Sequence, residues 1–413
     1  MKTKLWNRNF ICVVGGMIIS AIGGIGLSVA LGVIVFQETQ STILSALLVS
    51  LSLIPQLILP IIAGSLIDRR NPLKVLITNE LILAGVCIIT GFITYFIGFS
   101  YALFLVFSLL TSCFYVVSML ASDSILPQIM SKENYARGNA AVNIIYPLCN
   151  IIVVPIAMLV YERFGVAPII IAFGIACIFD AAIESRIRAD FEFIEAEKTT
   201  LRDYAKDLTE AFAYLKNNRA VRSVFLLFTL LVLSGASYDV LLYPFFNRSE
   251  TLDNSHYALL ASITSAGYLV GGLLHYFIKI PEKKRFDIAI TVYFTFVVLD
   301  AVFFLIPFPL MCAARFILGI MGMNSANIRE SAIQAEVPNI LRAKVNALFS
   351  IMTSAAMLVG QMAVGALGEF MPYWLIQLCF QVFYLFGILY FALPAGNKVK
   401  ELYNYKAAAE SAE

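Results

Sequence analysis

The chain has 413 residues, of which 60% are hydrophobic and 14% are charged, and its formal net charge is +2. A soluble domain of this length would carry about a quarter charged residues, so the composition excludes an ordinary soluble protein. The mean hydropathy is +0.84, and apolar runs of about the 20 residues that cross a bilayer recur along the whole chain. The sequence therefore predicts an all-α polytopic membrane protein.

Twelve of these runs are predicted to be transmembrane helices. The spans at 165–187 and 257–278 are the least uniform, because the first ends in charged residues and the second contains His275. In chain order the predicted spans are 10–36, 41–67, 73–97, 100–125, 137–161, 165–187, 222–246, 257–278, 286–306, 309–328, 345–368 and 373–394.

The placement of basic residues tests this count, because Lys and Arg near the ends of spans mark the cytoplasmic side of a membrane. If both termini are cytoplasmic, 26 of the 29 Lys and Arg residues fall in cytoplasmic segments. Arg163 and Arg248 fall outside, and Arg315 lies within a span. A miscounted helix would invert the pattern downstream. The charges therefore favour twelve spans with both termini inside the cell.

The two halves of the chain are predicted to be repeats. Gly64 and Gly271 end the second and the eighth span and are 207 residues apart, and Asp123 meets Glu330 at the same offset. At this offset Ala136, Arg137, Asn139 and Ala140 also match Ala343, Lys344, Asn346 and Ala347. The predicted domains are an N-terminal six-helix bundle at 1–187, a cytoplasmic linker at 188–221, a C-terminal six-helix bundle at 222–396 and a cytoplasmic tail at 397–413.

The linker is predicted to contain an amphipathic helix. Thr200-Leu-Arg-Asp203 resembles a helix-start box. The residues that then recur at helical spacing as an apolar face are Leu201, Tyr204, Leu208, Phe212 and Leu215. Such a helix is expected to lie on the cytoplasmic membrane surface and to tether the two halves.

The loop after the second span reads Gly64-Ser-Leu-Ile-Asp68-Arg69-Arg70-Asn71-Pro-Leu-Lys74. This order resembles the G-x-L-x-D-R-x-G-[RK] loop between helices 2 and 3 of the major facilitator superfamily. The resemblance implies the major facilitator fold, two six-helix bundles with a substrate site between them near the midplane. It also implies a gating loop formed by Gly64, Asp68, Arg69, Arg70 and Lys74. The alternative is that the basic residues of this loop only set the topology.

In the family this loop braces the cytoplasmic faces of the two halves, and Asp68 would meet the positive N-terminal end of the eleventh membrane helix. The second copy of the loop has diverged, because His275 and Tyr276 stand where Asp68 and Arg69 would repeat. The resemblance therefore places the gating role in the first copy.

Within the family, the segment 127–140, its repeat, and Phe179-Asp180-Ala181 resemble the drug-efflux branch typified by bacterial macrolide exporters. Drug antiporters usually carry Gly-Pro-x-x-Gly-Gly in helix 5. This chain departs from that pattern, because its corresponding stretch is Val153-Val154-Pro155-Ile-Ala-Met.

Ionisable residues inside spans are costly and are functional candidates. Asp300 lies seven residues before Pro307 and Arg315 eight after it, so a hairpin would bring the two to similar depth. The pair is either a static lock between two helices or part of a proton-coupling site. Asp239 is the third proton-coupling candidate, with hydrogen bonding near the outer water as its alternative. A structural role is favoured for Asp180.

Three further carboxylates lie close to the predicted cytoplasmic face. Glu184, Glu80 and Asp123 are expected to pair with Arg186, Lys74 and loop arginines.

Polar, aromatic and methionine side chains within spans are candidates to line a substrate cavity, because such groups adapt to differently shaped ligands. Hydrogen bonding between helices is the alternative for each polar residue. The candidates are Asn143, Tyr146, Asn150, Tyr238, Met321, Asn324, Asn327 and Gln361.

The chain lacks a P-loop, an H-E-x-x-H motif and a C-x-x-C pair, and its two histidines cannot by themselves form a metal site. It also has no basic patch interleaved with aromatic residues. No enzyme activity, cofactor, metal or nucleic acid is therefore expected. The resemblance implies a monomeric secondary active transporter that works by alternating access in a lipid bilayer. Its expected partners are a small-molecule substrate and protons or another coupling ion. The leading hypothesis is proton-coupled efflux of amphipathic or lipophilic molecules, macrolide- or drug-like. The alternatives are an importer, facilitator or flippase of a lipid-like or nutrient solute, and a transport-inactive membrane sensor or binding protein.

Overall fold

The computed structural model describes residues 5–67, 70–189, 191, 201–277, 280–393 and 396–404. These residues form fourteen α-helices and no β-strand. The helices are α1 Arg8–Thr39, α2 Thr42–Ile67, α3 Pro72–Ile97, α4 Tyr101–Ile129, α5 Tyr135–Phe164, α6 Ala167–Glu184, α7 Leu201–Asn217, α8 Arg219–Asn247, α9 Asn254–Phe277, α10 Arg285–Ala301, α11 Phe308–Glu336, α12 Asn339–Leu367, α13 Tyr373–Gly387 and α14 Gly396–Tyr403.

Twelve helical segments in the described part of the chain are long and apolar enough to cross a bilayer. They are α1–α6, α8, α9, α11 and α12, together with α10 and α13 as extended by short helical turns to Glu282–Leu305 and Tyr373–Ala392. The predicted all-α architecture with twelve spans is therefore confirmed, and the chain is a multi-pass membrane protein. The largest boundary difference is at α11, which continues to Glu336 although its predicted span ends at 328. Polar residues such as Asn327 and Arg329 end the apolar run, whereas the helix itself continues beyond it.

Local signals in the sequence account for several helix ends. Asn71 caps the N-terminus of α3. Its Oδ1 accepts hydrogen bonds from the backbone N–H groups of Leu73 and Lys74, at 3.0 and 3.2 Å. Pro72 is the first residue of the helix, a position that favours proline. Gly98 and Gly165 end α3 and α5 with φ values of 85° and 74°. This left-handed region favours glycine because it has no Cβ.

The chain divides into two compact units. The first comprises Met1–Thr200 and Glu250–Ser262, and the second comprises Leu201–Ser249 and Ile263–Glu413. This division assigns the linker helix to the second unit and residues 250–262 to the first, unlike the boundaries expected from sequence. One contact that holds the latter segment is the Ser262 hydroxyl, which donates to the Ile151 carbonyl of α5 at 2.8 Å. The domain roles expected from the sequence stay predictions.

One pair of helices follows the predicted repeat. Helices α4 and α11 both contain 29 residues, and they begin at Tyr101 and Phe308, which are 207 residues apart. The other corresponding helices begin between 204 and 213 residues apart, so the repeat stays a prediction.

The predicted linker helix is present as α7. Ala211 and Leu215 are buried in the core of the second unit, whereas Phe212 is 64% exposed. Lys344 of α12 binds the polar side of the helix, with its Nζ 2.7 Å from Asp207 Oδ1 and 2.6 Å from Glu210 Oε2. Helix α7 is therefore docked on α12 by buried contacts and by two ion pairs. Its tethering of the halves stays a prediction.

Candidate functional site

The loop between α2 and α3 is described only in part. Gly64 lies in α2, while Asp68 and Arg69 lie outside the described residues. Arg70 and Lys74 are exposed on the other side of this gap. The gating role of the five residues therefore stays a prediction.

An ion pair joins α10 and α11 inside the membrane-spanning part of the second unit. Arg315 Nη2 lies 3.0 Å from Asp300 Oδ1, and the two residues are 7% and 5% exposed. The turn through Pro307 brings the two side chains to the same level, as their spacing in the sequence predicts. A buried pair of this kind is strongly destabilised when only one partner is removed.

Two aromatic rings enclose the same guanidinium group. Arg315 Cζ lies 3.2 Å from the ring centroid of Tyr238 in α8 and 4.5 Å from that of Phe303, which lies in the turn before α11. The two rings meet edge to face, with their centroids 5.4 Å apart. Stacking on aromatic faces is a favoured environment for arginine away from water. Arg315 is thus held by one carboxylate and two rings.

Asp239 follows Tyr238 in α8 and is exposed, although it lies eight residues before the end of a 29-residue membrane helix. No described residue forms a hydrogen bond or ion pair with its carboxylate, and the charged groups that act on it are Arg315 and Asp300. Carboxylates in membrane helices face protein or water-filled space rather than lipid. The exposed face of Asp239 is therefore a position where a proton or a cationic group can bind.

Three of the cavity candidates share one face of α5 in the first unit. Asn143 and Tyr146 are exposed and Asn150 is half-buried, at positions i, i+3 and i+7 of the helix. Tyr115 of α4 lies near Tyr146, and each of these tyrosines is 58% exposed. The structure thus brings polar and aromatic side chains together on one accessible surface of this unit.

The candidates in α11 and α12 have more buried surroundings. Asn324 Nδ2 donates to the Gly271 carbonyl of α9 at 3.2 Å and to the Ile320 carbonyl at 2.8 Å. Met321 packs against the core of the second unit, Gln361 is 2% exposed, and Asn327 is half-buried. Their part in a cavity stays a prediction, and Asn324 has a clear role in joining two helices.

The expected pairing of Glu80 and Glu184 with basic residues is wrong. Both carboxylates are 3% exposed, whereas Lys74 and Arg186 are exposed at the ends of the helices. Asp123 is exposed and also lacks an ion pair with any described residue. Glu80 and Glu184 point into the first unit instead, where they approach Asp180. The sequence carried one signal of this arrangement, because acids four residues apart share a helix face.

Comparisons with known proteins agree with this architecture. The chain is 23% identical over 372 residues to an uncharacterized MFS-type transporter, YkuC, of Bacillus subtilis (strain 168), covering 86% of this chain and 83% of the relative. Its structure resembles the nucleoside transporter NupG, with a TM-score of 0.70, 14% identity and coverage of 93% and 98% of the two chains. It also resembles a bacterial homologue of the iron transporter ferroportin in its inward-facing state, with a TM-score of 0.66, 14% identity and coverage of 94% and 99%. These structural similarities show the fold alone.

The family is shown by a match to the sequence itself. The profile of the Major Facilitator Superfamily matches residues 13–286, which is more than half of the chain. The matched range includes the α2–α3 loop, the α3 and α6 carboxylates, and Asp239 of α8. The chain therefore belongs to the Major Facilitator Superfamily, whose members are membrane transporters and not enzymes.

Proposed function

We propose that this protein is a secondary active transporter that exports amphipathic or lipophilic small molecules in exchange for protons, by alternating access. The observation that carries the proposal is Asp239, an exposed carboxylate within a membrane-spanning helix that has no hydrogen-bond partner among the described residues. A carboxylate in this position can hold either a proton or the cationic group of a substrate. Competition between the two is the simplest basis for exchange.

The surroundings of Asp239 support this assignment. The nearby guanidinium of Arg315 is committed to Asp300 and to the rings of Tyr238 and Phe303. It does not form an ion pair with Asp239. Asp239 therefore remains available to an incoming proton or ligand.

The accessible surface of α5 supports an amphipathic substrate. Tyr115 and Tyr146 provide exposed aromatic surface beside the amide of Asn143. Aromatic side chains bury large area at low entropic cost and still offer a polar end, so they suit ligands that are largely apolar. The proposed direction of transport is export. The protein is proposed to lie in a bacterial inner membrane with both termini cytoplasmic and to work as a monomer.

The proposal is tested with the purified protein in liposomes that contain a pH-sensitive dye. An inward proton gradient is imposed, and lipophilic cations and macrolides are screened for substrate-dependent proton flux. Flux is expected with wild type and is expected to be lost in Asp239→Asn. The control is Asp123→Asn, which removes an exposed carboxylate of α4 and should keep the flux.

Other outcomes would replace the proposal with a specific alternative. Substrate movement without proton flux would identify a facilitator, importer or flippase of a lipid-like or nutrient solute. Binding without movement of either species would identify a sensor or binding protein.

A further inference from the structure

Three carboxyl groups lie buried together in the first unit. Glu80 is the ninth residue of α3, and Asp180 and Glu184 lie one turn apart at the end of α6. Each of the three residues is 3% exposed. Helices α3 and α6 pack closely, because a methyl group at Gly174 of α6 would lie 3.0 Å from the Ala84 carbonyl of α3. The three acids lie near enough to act on one another electrostatically.

The polar contacts of this cluster leave several oxygens unpartnered. Ser118 of α4 donates to Glu80 Oε1 at 2.6 Å and accepts from Asn79 Nδ2 at 2.8 Å. Among the described residues, the buried Glu80 Oε2, Asp180 Oδ1 and Glu184 Oε2 have no hydrogen-bond partner. An ionised carboxylate is energetically costly when its buried oxygens have no hydrogen-bond donor. When such an oxygen binds a proton, it can itself donate a hydrogen bond.

The cluster converges on a glycine of α1. A methyl group at Gly16 would overlap Asp180 Oδ1 and would lie 3.2 Å from Glu184 Oε1. The neighbouring Gly15 has no such contact, because its nearest atom is Ile183 Cγ2 at 3.8 Å. Gly16 is therefore the position on α1 where the two acids of α6 come together.

No positive charge in the described part of the chain balances the three acids. None of them forms an ion pair with a described Lys, Arg or His residue. The other titratable groups that face the cluster are the buried thiols of Cys87 in α3 and Cys177 in α6. The groups that face it from the remaining two helices are the neutral hydroxyls of Ser20 in α1 and Ser118 in α4.

Three uncompensated negative charges inside a membrane-spanning unit would cost far more than the fold could supply. The described residues contain no group of His, Cys, Asp or Glu with the geometry of a metal site. Protons are the ligands that neutralise carboxylates without further donors.

We propose that Glu80, Asp180 and Glu184, the last two of which converge on Gly16, form a proton-binding site in the first unit that is separate from Asp239. In each loading step a carboxylate oxygen takes H⁺ from hydronium, an O–H bond forms, and water is left. In each release step the same O–H bond breaks and the proton returns to water. A role of this site in coupling depends on the proton exchange proposed above. The binding of protons at this site does not depend on that proposal.

Infrared spectroscopy measures proton binding without any transport. The purified protein in lipid nanodiscs is titrated through neutral pH, and the carbonyl band of protonated carboxylic acids is followed. Wild type is expected to show this band at neutral pH. Each of Glu80→Gln, Asp180→Asn and Glu184→Gln should reduce it, and the triple variant should reduce it most, because only other carboxyl groups such as that of Asp239 would still contribute. The control is Asp123→Asn, which removes an exposed carboxylate of α4 and should leave the band unchanged. An unchanged band in the triple variant would overturn the proposal.

The amide variants imitate the protonated acids, so they are expected to fold. Gly16→Ala provides a second perturbation, because its methyl group must displace Asp180, and Gly15→Ala is its matched control. A shift of the band in Gly16→Ala but not in Gly15→Ala is expected, and equal spectra would contradict the convergence on Gly16.

Proton flux in liposomes then tests the coupling role. The triple variant is expected to carry fewer protons per substrate than wild type, and an unchanged ratio would overturn that role. If wild type shows the band but no flux, the proton site stands and the proposed transport function fails, so the two failures are distinguishable.

Discussion

The guanidinium carbon of Arg315 lies 3.2 Å from the centroid of the Tyr238 ring, so that α8 and α11 meet through a cation and an aromatic face. The positive charge of the same guanidinium is balanced by the carboxylate of Asp300 in α10. One arginine thereby joins three membrane helices of the second unit, and Asp239 lies next to this junction.

Removal of Arg315 is expected to be more harmful than removal of the whole ion pair. Arg315→Met leaves Asp300 buried without a partner, which should lower the free energy of unfolding by about 3–5 kcal/mol. The double variant Asp300→Asn/Arg315→Met should lose less, because no buried charge is left alone. Thermal unfolding in detergent measures both, and a double variant that is less stable than Arg315→Met would contradict the argument.

The ring of Tyr238 is expected to matter more than its hydroxyl. Tyr238→Leu removes the aromatic face from a desolvated guanidinium and should cost about 2 kcal/mol of unfolding free energy. Tyr238→Phe keeps the face and removes only the hydroxyl that faces Thr264, so its loss should be smaller. Equal unfolding temperatures of the two variants would show that the stacking contributes nothing.

Helices α9 and α11 cross so closely that a side chain larger than that of glycine should not fit between them. A Cβ at Gly271 of α9 would lie 2.6 Å from the Ile320 carbonyl of α11, and one at Gly267 would lie 2.5 Å from the Phe316 carbonyl. Because backbone cannot move aside as a side chain can, either Ala substitution should cost roughly 1–3 kcal/mol. Thermal unfolding measures this loss.

Gly272 supplies the matched control for that crossing. The nearest atom to a Cβ there is Met323 Cγ at 4.0 Å, so Gly272→Ala should leave the unfolding temperature close to that of wild type. Equal losses in Gly271→Ala and Gly272→Ala would contradict the proposed contact.

The docking of α7 is expected to depend on Lys344. Lys344→Met breaks the ion pairs to Asp207 and Glu210 and leaves two like charges on α7 without their partner. Amide hydrogen exchange in residues 203–216 should therefore become faster, and high salt should produce part of the same change in wild type. Unchanged exchange would show that the buried Ala211 and Leu215 are sufficient to hold the helix.

The gating loop is expected to depend on Asp68. Asp68→Asn should abolish transport in liposomes while the unfolding temperature stays unchanged, because the carboxylate would stabilise one conformation rather than the fold. Asp123→Asn, which removes an exposed carboxylate of α4, is the control. Full transport by Asp68→Asn would exclude the brace that the family resemblance implies.

Much of the architecture was predictable from the sequence because it depends on local properties. Length, hydropathy and the placement of basic residues are sufficient to predict twelve spans, since a bilayer requires a minimum apolar length and loops keep their charge outside it. The helix from Leu201 and the hairpin that pairs Asp300 with Arg315 follow from short-range periodicity and spacing.

The contacts of single polar side chains were decided only by the tertiary structure. Glu80 lies near Lys74 in the sequence, yet its carboxylate turns toward Ser118 and α6. Phe212 continues the apolar period of α7, yet it is exposed while Ala211 is buried.

The physical reason is that the hydropathy of a span is a sum over many residues, whereas the free energy of a buried charge depends on the few atoms that face it. The amino-acid sequence by itself determined that this chain crosses the membrane twelve times and carries acids within those spans. Helix packing alone decided that Glu80 is buried together with Asp180 and Glu184, that the latter two meet at Gly16, and that no cation from the described residues pairs with them. It also decided that Asp239 is exposed beside Arg315, which already pairs with Asp300.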